Sequence, residues 1–392
     1  MTRTLFWASL ATVAATYAVM PALLAVRAAL LPRRVRGDDV ELPVSIVVAA
    51  RNEVASIGRK LRNLASLDYP TDLVEVVVAS DGSDDGTEDA VAALEPSGVR
   101  LLRLPRVGKA EALNRAVEVA SGDVVVFTDA NSVLAPDALR AIVRPFADPA
   151  VGGVAADQRY VDDEPGSAAG GERGYWSADR AIKVLESRAG SVVSATGSLY
   201  AIRRSLFREI PAGVTDDFFE STSVVLQGHR LVFSRAAVSY EPPAGTHEAE
   251  FARKVRVMTR GFRGVLTQRA LLDPRRYGFY AFQLLWHKVL RRLMVAPLAV
   301  TALTSALLWP AGPLFRVAAA GQAAVYVLGT AGIALRSRRL GRTIVFAVPA
   351  YFCIVNVASV CALWNIATGR RIDRWEPVRG RTAPAAGPGS SA

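Results

Sequence analysis

The sequence predicts an α/β domain carried on membrane helices. Three observations lead there. Short β-branched runs alternate with helical stretches between residues 42 and 270, four long runs near the two ends carry no charge, and acidic clusters follow the strand-like runs. The 392 residues suffice for one domain of ordinary size and several spans, and 51% are hydrophobic although 21% are charged.

The first uncharged run, residues 4–26, exceeds the ~7–15 apolar residues of a secretory signal core and reads as a retained anchor. Arg27, Arg33, Arg34 and Arg36 follow it, whereas only Arg3 and the amino terminus precede it. The positive-inside rule therefore expects a multi-pass cell-membrane protein whose middle faces the cytoplasm. Residues 1–36 form the anchor and its basic flank.

Within residues 42–270, the runs 44–49 (VSIVVA), 74–79 (VEVVVA) and 124–128 (VVVFT) suit buried strands of a parallel sheet. Helical spacing covers 56–67 and 109–120, where Ala112, Leu113, Ala116, Val117 and Ala120 share one face. Strands alternating with helices give a doubly wound unit, in which ligands gather beyond the carboxyl ends of the strands. Arg51, Asn52 and Glu53 lie there, as do Asp81, Gly82 and Ser83, and Asp129, Ala130 and Asn131. Each cluster alone is ordinary turn chemistry; together they would converge on one crevice.

Residues 165–174 (PGSAAGGERG) read as a flexible loop and 382–392 as a disordered tail. Residues 277–293 mix aromatics with His287, Lys288, Arg291 and Arg292, which suits an interface helix. The runs 293–315, 317–335 and 343–369 are each near the ~20 residues a span needs. The region 277–369 thus reads as an interface helix and terminal spans, and 370–392 as a basic, then disordered, tail.

The net charge of +11 concentrates at the edges of these runs, at Arg336, Arg338, Arg339 and Arg342 among others. That is a membrane signature; no nucleic-acid partner is expected, because no DNA-reading motif accompanies it. Cys353 and Cys361 both sit in the last apolar run, without metal-ligand spacing.

A nucleotide diphosphate in the crevice would make nearby carboxylates sensible only with a hard cation, Mg²⁺ or Mn²⁺, and Asp129 is the best ligand. Asp81 could accept hydrogen bonds from a base or ribose, and Lys109 could neutralise a phosphate. Asp216 and Asp217 admit two readings, helix-capping charges or a general base. The basic stretch 251–264, with Arg253, Lys254, Arg256, Arg260 and Arg263, is either a lipid-facing helix or a diphosphate clamp.

Seven segments in order resemble the membrane-integrated family 2 glycosyltransferases, which include cellulose, hyaluronan and poly-N-acetylglucosamine synthases. They are SIVVAARNE (45–53), SDGSDDGT (80–87), GKAEALNRA (108–116), FTDANS (127–132), ATGSLYAIRR (195–204), TDDF (215–218) and FQLLWHKVLRRL (282–293). The resemblance implies a GT-A-type nucleotide-sugar domain, an inverting reaction and a lipid or glycan acceptor. By position it implies that Glu53 and Asp81 contact the nucleoside, here of a UDP-sugar, and that Lys109 and Arg256 lie near the diphosphate. Asp129 and Asn131 would hold the metal, Asp217 would be the catalytic base, and Gly197 and Ser198 would line the acceptor side.

Two positions depart from the family. Asn131 replaces the last acid of DxD, and RKVRV (253–257) stands where processive synthases carry QxxRW, with Val257 in place of tryptophan. The second departure favours transfer of one or a few sugars over a processive polysaccharide synthase. Among rival readings, a Rossmann oxidoreductase lacks its GxGxxG after the first strand, where AARNE stands. A transporter would carry charges inside its spans. Asp81, Asp129 and Asp217 together weigh against an inactive transferase-like partner.

Overall fold

The computed structural model describes residues 1–94, 98–160, 169–241, 247–336, 338–370 and 372. Its strands are β1 Val44–Ala50, β2 Val74–Asp81, β3 Val99–Leu104, β4 Val124–Phe127, β5 Val133–Leu134, β6 Val151–Tyr160, β7 Tyr200–Arg203 and β8 Arg230–Glu241. They form one sheet in the order β3-β2-β1-β4-β7-β6-β8-β5. The half containing β3, β2, β1 and β4 is parallel. β7 then runs antiparallel to both β4 and β6.

All seven residues of β1 are buried, as a central strand covered on both faces requires. Its alternation divides two cores. Val47 and Ala49 join Val77, Phe127, Leu113 and Phe218 on one face, while Ile46 and Val48 join Val78, Val126, Ile57 and Leu139 on the other. Helices Val54–Ala65 and Lys109–Glu118 lie within a few residues of the expected stretches.

Two expectations change. Residues 165–168 of the expected loop lie outside the described residues, but from Ala169 the chain is a helix, Ala169–Ala189, despite its glycines. Its packed later turns sustain it: Glu186 accepts the Val193 N–H at 3.1 Å, and the Lys183 ammonium lies 6.0 Å from the Phe233 ring. The run 293–315 is not one continuous helix. Pro310 and Gly312, the latter at φ 149°, interrupt it, and Val295–Leu307 instead continues Phe279–Leu293 through a 52° bend.

Among the described residues, three helices are long and apolar enough to cross a membrane, Thr2–Leu30, Pro313–Ala334 and Ile344–Ala367, and the bent pair could make a fourth crossing. Small residues let the last two approach closely. A Cβ at Gly329 would lie 2.5 Å from the Cys353 sulfur, and one at Gly332 would lie 2.5 Å from the Phe346 carbonyl oxygen. The Ile344–Ala367 helix docks on His247–Thr267, where Asn365 Nδ2 donates to Thr259 Oγ1 at 3.3 Å, and Arg263 donates to the Arg370 carbonyl at 2.6 Å. The expected tail beyond residue 372 lies outside the described residues.

Candidate active site

The carboxyl ends of β1, β2 and β4 bring the expected residues to one crevice. Asp81 ends β2 fully buried, and its Oδ1 accepts the N–H groups of Val107 and Gly108 at 2.6 and 2.8 Å. It thereby shapes the turn ahead of Lys109, where Gly108 adopts φ 93°, a left-handed value that favours glycine. Its Oδ2 is buried without a hydrogen-bond partner, 3.9 Å from Arg51 Nη1. A buried carboxylate oxygen left over in this way fits an acceptor waiting for a ligand donor.

Glu53 caps helix Val54–Ala65; its N–H donates to Thr87 Oγ1 at 2.8 Å and its Oε2 accepts from Ser56 Oγ at 2.5 Å. Asp85 joins the two turns, accepting from Val54 N at 3.2 Å and from Thr87 N at 3.0 Å. Burial opposes ionisation of Asp85, but these bonds outweigh it and hold its carboxyl below the usual range.

Lys109 is the hinge of the charge arrangement. Its Nζ lies 2.9 Å from Asp129 Oδ1 and 2.9 Å from Asp216 Oδ2. Burial alone would lower its pKa; the two carboxylates win and raise it, so the ammonium stays charged. The same contact holds Asp216 below its ordinary range against the opposing effect of burial, with Arg260 assisting. Asp217 experiences the reverse. Burial first, and the Asp216 charge second, push its carboxyl up to about 6. Its Oδ1 accepts the Phe218 N–H at 2.7 Å.

Gly197 reports where Asp129 and Asp217 point. A Cβ built there would lie 3.2 Å from Asp129 Oδ2 and 3.8 Å from Asp217 Oδ2. The absence of a side chain therefore leaves one shared space facing both carboxylates. Ser198 turns away from it: it is 1% exposed, its Oγ pairs with Ser239 Oγ at 2.8 Å, and its carbonyl accepts from Thr128 Oγ1 at 2.7 Å. Asn131 sits exposed in the turn after Asp129. Arg256 lies in the field of Asp216 and Asp129, although burial first and then Arg260 and Arg253 lower its pKa.

Two buried pairs underlie this surface. Lys60, 1% exposed, donates to Thr128 Oγ1 at 2.7 Å and to Ser132 O and Oγ, each at 3.1 Å, fixing the turn that carries Asp129. Burial pushes its ammonium down to about 7, against the pull of Asp129 and Glu241. Tyr200 donates to Glu220 beneath the Asp216–Leu226 helix, and burial drives both groups well above their ordinary ranges. Neither pair is visible in sequence: Lys60 looks like any helix lysine, and its partners lie about 70 residues away.

A metal can be accommodated in the mode where one or two carboxylates serve and substrate phosphates complete the shell. Asp129, whose side chain is 32% exposed and whose Oδ2 is the atom nearest a Cβ at Gly197, is the candidate protein ligand, with Asn131 adjacent in the turn. Among the described residues no cluster of three or more His, Cys, Asp or Glu side chains forms an all-protein cage.

The profile of glycosyl transferase family 2 matches residues 45–211. The chain carries a family 2 glycosyltransferase domain. The matched residues include Glu53, Asp81, Lys109, Asp129 and Gly197, and end just before Asp216. Over 166 residues, the chain is 30% identical to a beta-monoglucosyldiacylglycerol synthase of Trichormus variabilis, covering 41% of this chain and 36% of that protein. Over 204 residues it is 26% identical to a poly-beta-1,6-N-acetyl-D-glucosamine synthase of Staphylococcus epidermidis, covering 51% and 48%. The chain thus spans half or less of the length of these curated relatives. A mannosyltransferase from Pyrobaculum calidifontis, solved in complex with GDP-Man and Mn²⁺, superposes with a TM-score of 0.71 at 26% identity, covering 94% of this chain and all of that one. The fold is of the GT-A type.

Proposed function

We propose that the protein is an inverting glycosyltransferase that moves a sugar from a nucleotide-sugar donor to a lipid or glycan acceptor at the cytoplasmic face of the cell membrane. The observation that carries this reading is the shared space at Gly197, faced by Asp129 Oδ2 and Asp217 Oδ2. Donor and acceptor chemistry need such a meeting point. The Mn²⁺ complex of the structural relative supports a divalent cation here, Mg²⁺ or Mn²⁺, which when bound would neutralise charge building on the departing diphosphate.

The chain's own residues divide the remaining work. Asp81 and Glu53 hold the nucleoside end, and Lys109 and Arg256 face the diphosphate. Asp216 is committed to Lys109, and Glu220 is buried against Tyr200. That leaves Asp217 as the acid of this helix able to take the acceptor's proton. One base without a second carboxylate nucleophile gives a single displacement and inversion. Val257, 40% exposed where processive synthases present tryptophan, offers no stacking surface, so transfer of one or a few sugars is the favoured outcome. The glucosyldiacylglycerol synthase relative supports a lipid acceptor, and the apolar helices supply the membrane setting.

The pH profile tests the base. Asp217 must be ionised to act, and its carboxyl titrates near 6, so kcat/KM should rise through that pH and level off above it. One unit below, about a tenth of the plateau is expected, by simple titration of one group. A profile flat from pH 5 to 8 speaks against Asp217 as the base.

A further inference from the structure

A second polar cavity, of about 690 Å³, lies at the other end of helix Asp216–Leu226. The helix rise puts it roughly 15 Å from Asp217. Arg27, Arg33, Arg230, Arg275 and Arg276 line it, together with His229, and no Asp or Glu does among the described residues. Asp148, outside the lining, is the acid whose charge reaches Arg230. Arg230 spends its donors on backbone carbonyls, those of Gly190, Ser187, Arg33 and Arg34, at 2.9 to 3.2 Å. Carbonyl oxygens satisfy hydrogen bonds but bring no compensating unit charge.

Two donors in the same wall are buried without acceptors. Gln283 is 2% exposed, and its Nε2 has no hydrogen-bond partner. Arg27 Nε is likewise unpartnered, while its guanidinium lies 4.7 Å from the Phe279 ring centroid. Buried donors are normally paired, so a pair of orphans lining one basic cavity marks missing acceptor atoms. The position is also informative: Arg27 belongs to the last turns of helix Thr2–Leu30, among the exposed apolar residues Leu23, Val26 and Leu30. A cavity there opens where an apolar helix meets the polar domain.

We infer that this cavity binds a phosphate ester, with the guanidinium groups gripping the phosphate oxygens and the Gln283 amide completing the shell. Either an anionic lipid headgroup or a soluble phosphate compound could supply that chemistry. The site is separate from the crevice and does not depend on the sugar-transfer reading.

The test uses the full chain in nanodiscs of phosphatidylcholine with or without phosphatidylglycerol, with retained lipid weighed by native mass spectrometry. Inorganic phosphate and glycerol 3-phosphate are titrated in parallel. A lipid source predicts at least tenfold preferential retention of phosphatidylglycerol, lost at least tenfold in Arg27→Gln/Arg276→Gln and preserved in Arg276→Lys. A soluble source predicts glycerol 3-phosphate binding that the double substitution abolishes, without lipid preference. Circular dichroism and the melting temperature should match the parent in both variants, which checks their fold. Should the double variant fail that check, exposed Arg275→Glu provides the reading, with at least a threefold loss expected. Equal retention of the two lipids with no soluble binding, or undiminished binding in folded variants, overturns the inference.

Discussion

Asp217→Asn is expected to lower sugar transfer by roughly 10²- to 10⁴-fold, the range for a lost general base, while leaving nucleotide affinity within a few-fold. The substitution keeps the shape of the side chain and the acceptor for the Phe218 N–H, bonded at 2.7 Å, so the helix start survives. What it removes is the ability to take a proton. Stability should move the other way. The folded carboxyl titrates above its ordinary range, so the ionised form opposes folding at neutral pH, and the amide relieves that opposition. A melting temperature equal to or above the parent's at pH 7.5, with transfer lost, separates a functional role from a structural one. Full transfer in this variant would remove Asp217 from the mechanism.

Lys109→Met should damage both activity and stability. The ammonium stands 2.9 Å from each of two carboxylates, at Asp129 and Asp216, and its side chain is only 15% exposed. Deleting one partner of a largely buried ion pair typically costs about 3–5 kcal/mol, because the other charges stay behind unpaired. The cost here sits toward the lower end, since Asp129 is about a third exposed. Under the proposed placement of the diphosphate beside Lys109, donor binding should weaken as well. Denaturant midpoints and nucleotide titration read the two effects separately. A variant of unchanged stability and affinity would mean that Lys109 is not the link between the acids.

The parallel half of the sheet was legible because its strands announce themselves: β4 is apolar throughout and β1 is apolar but for Ser45, as two-sided burial demands. The antiparallel half was not. β6 begins Val-Gly-Gly and β8 is interrupted by a register shift against it, so neither shows a clean period. At the site, single residues could be named from motifs, but not their pairing. TDDF reads as two adjacent acids, and only folding shows that Asp216 is spent on Lys109 while Asp217 is left with a raised pKa. Ser198 likewise belongs to a motif whose side chain the fold turns inward. The acidic stretch after β2 divides by position: Asp81 carries a buried spare oxygen, and Asp85 caps neighbouring turns.

Turnover of a nucleotide-sugar panel, with UDP- and GDP-linked donors, by the full chain in lipid nanodiscs tests the central claim most directly. The expected result is release of nucleoside diphosphate from one donor, with a matching mass gain on a lipid or glycan. That release should be lost in excess chelator and in Asp217→Asn. Absence of turnover with every donor, or equal turnover by Asp217→Asn, would contradict the assignment of the Gly197 crevice as a glycosyl-transfer site.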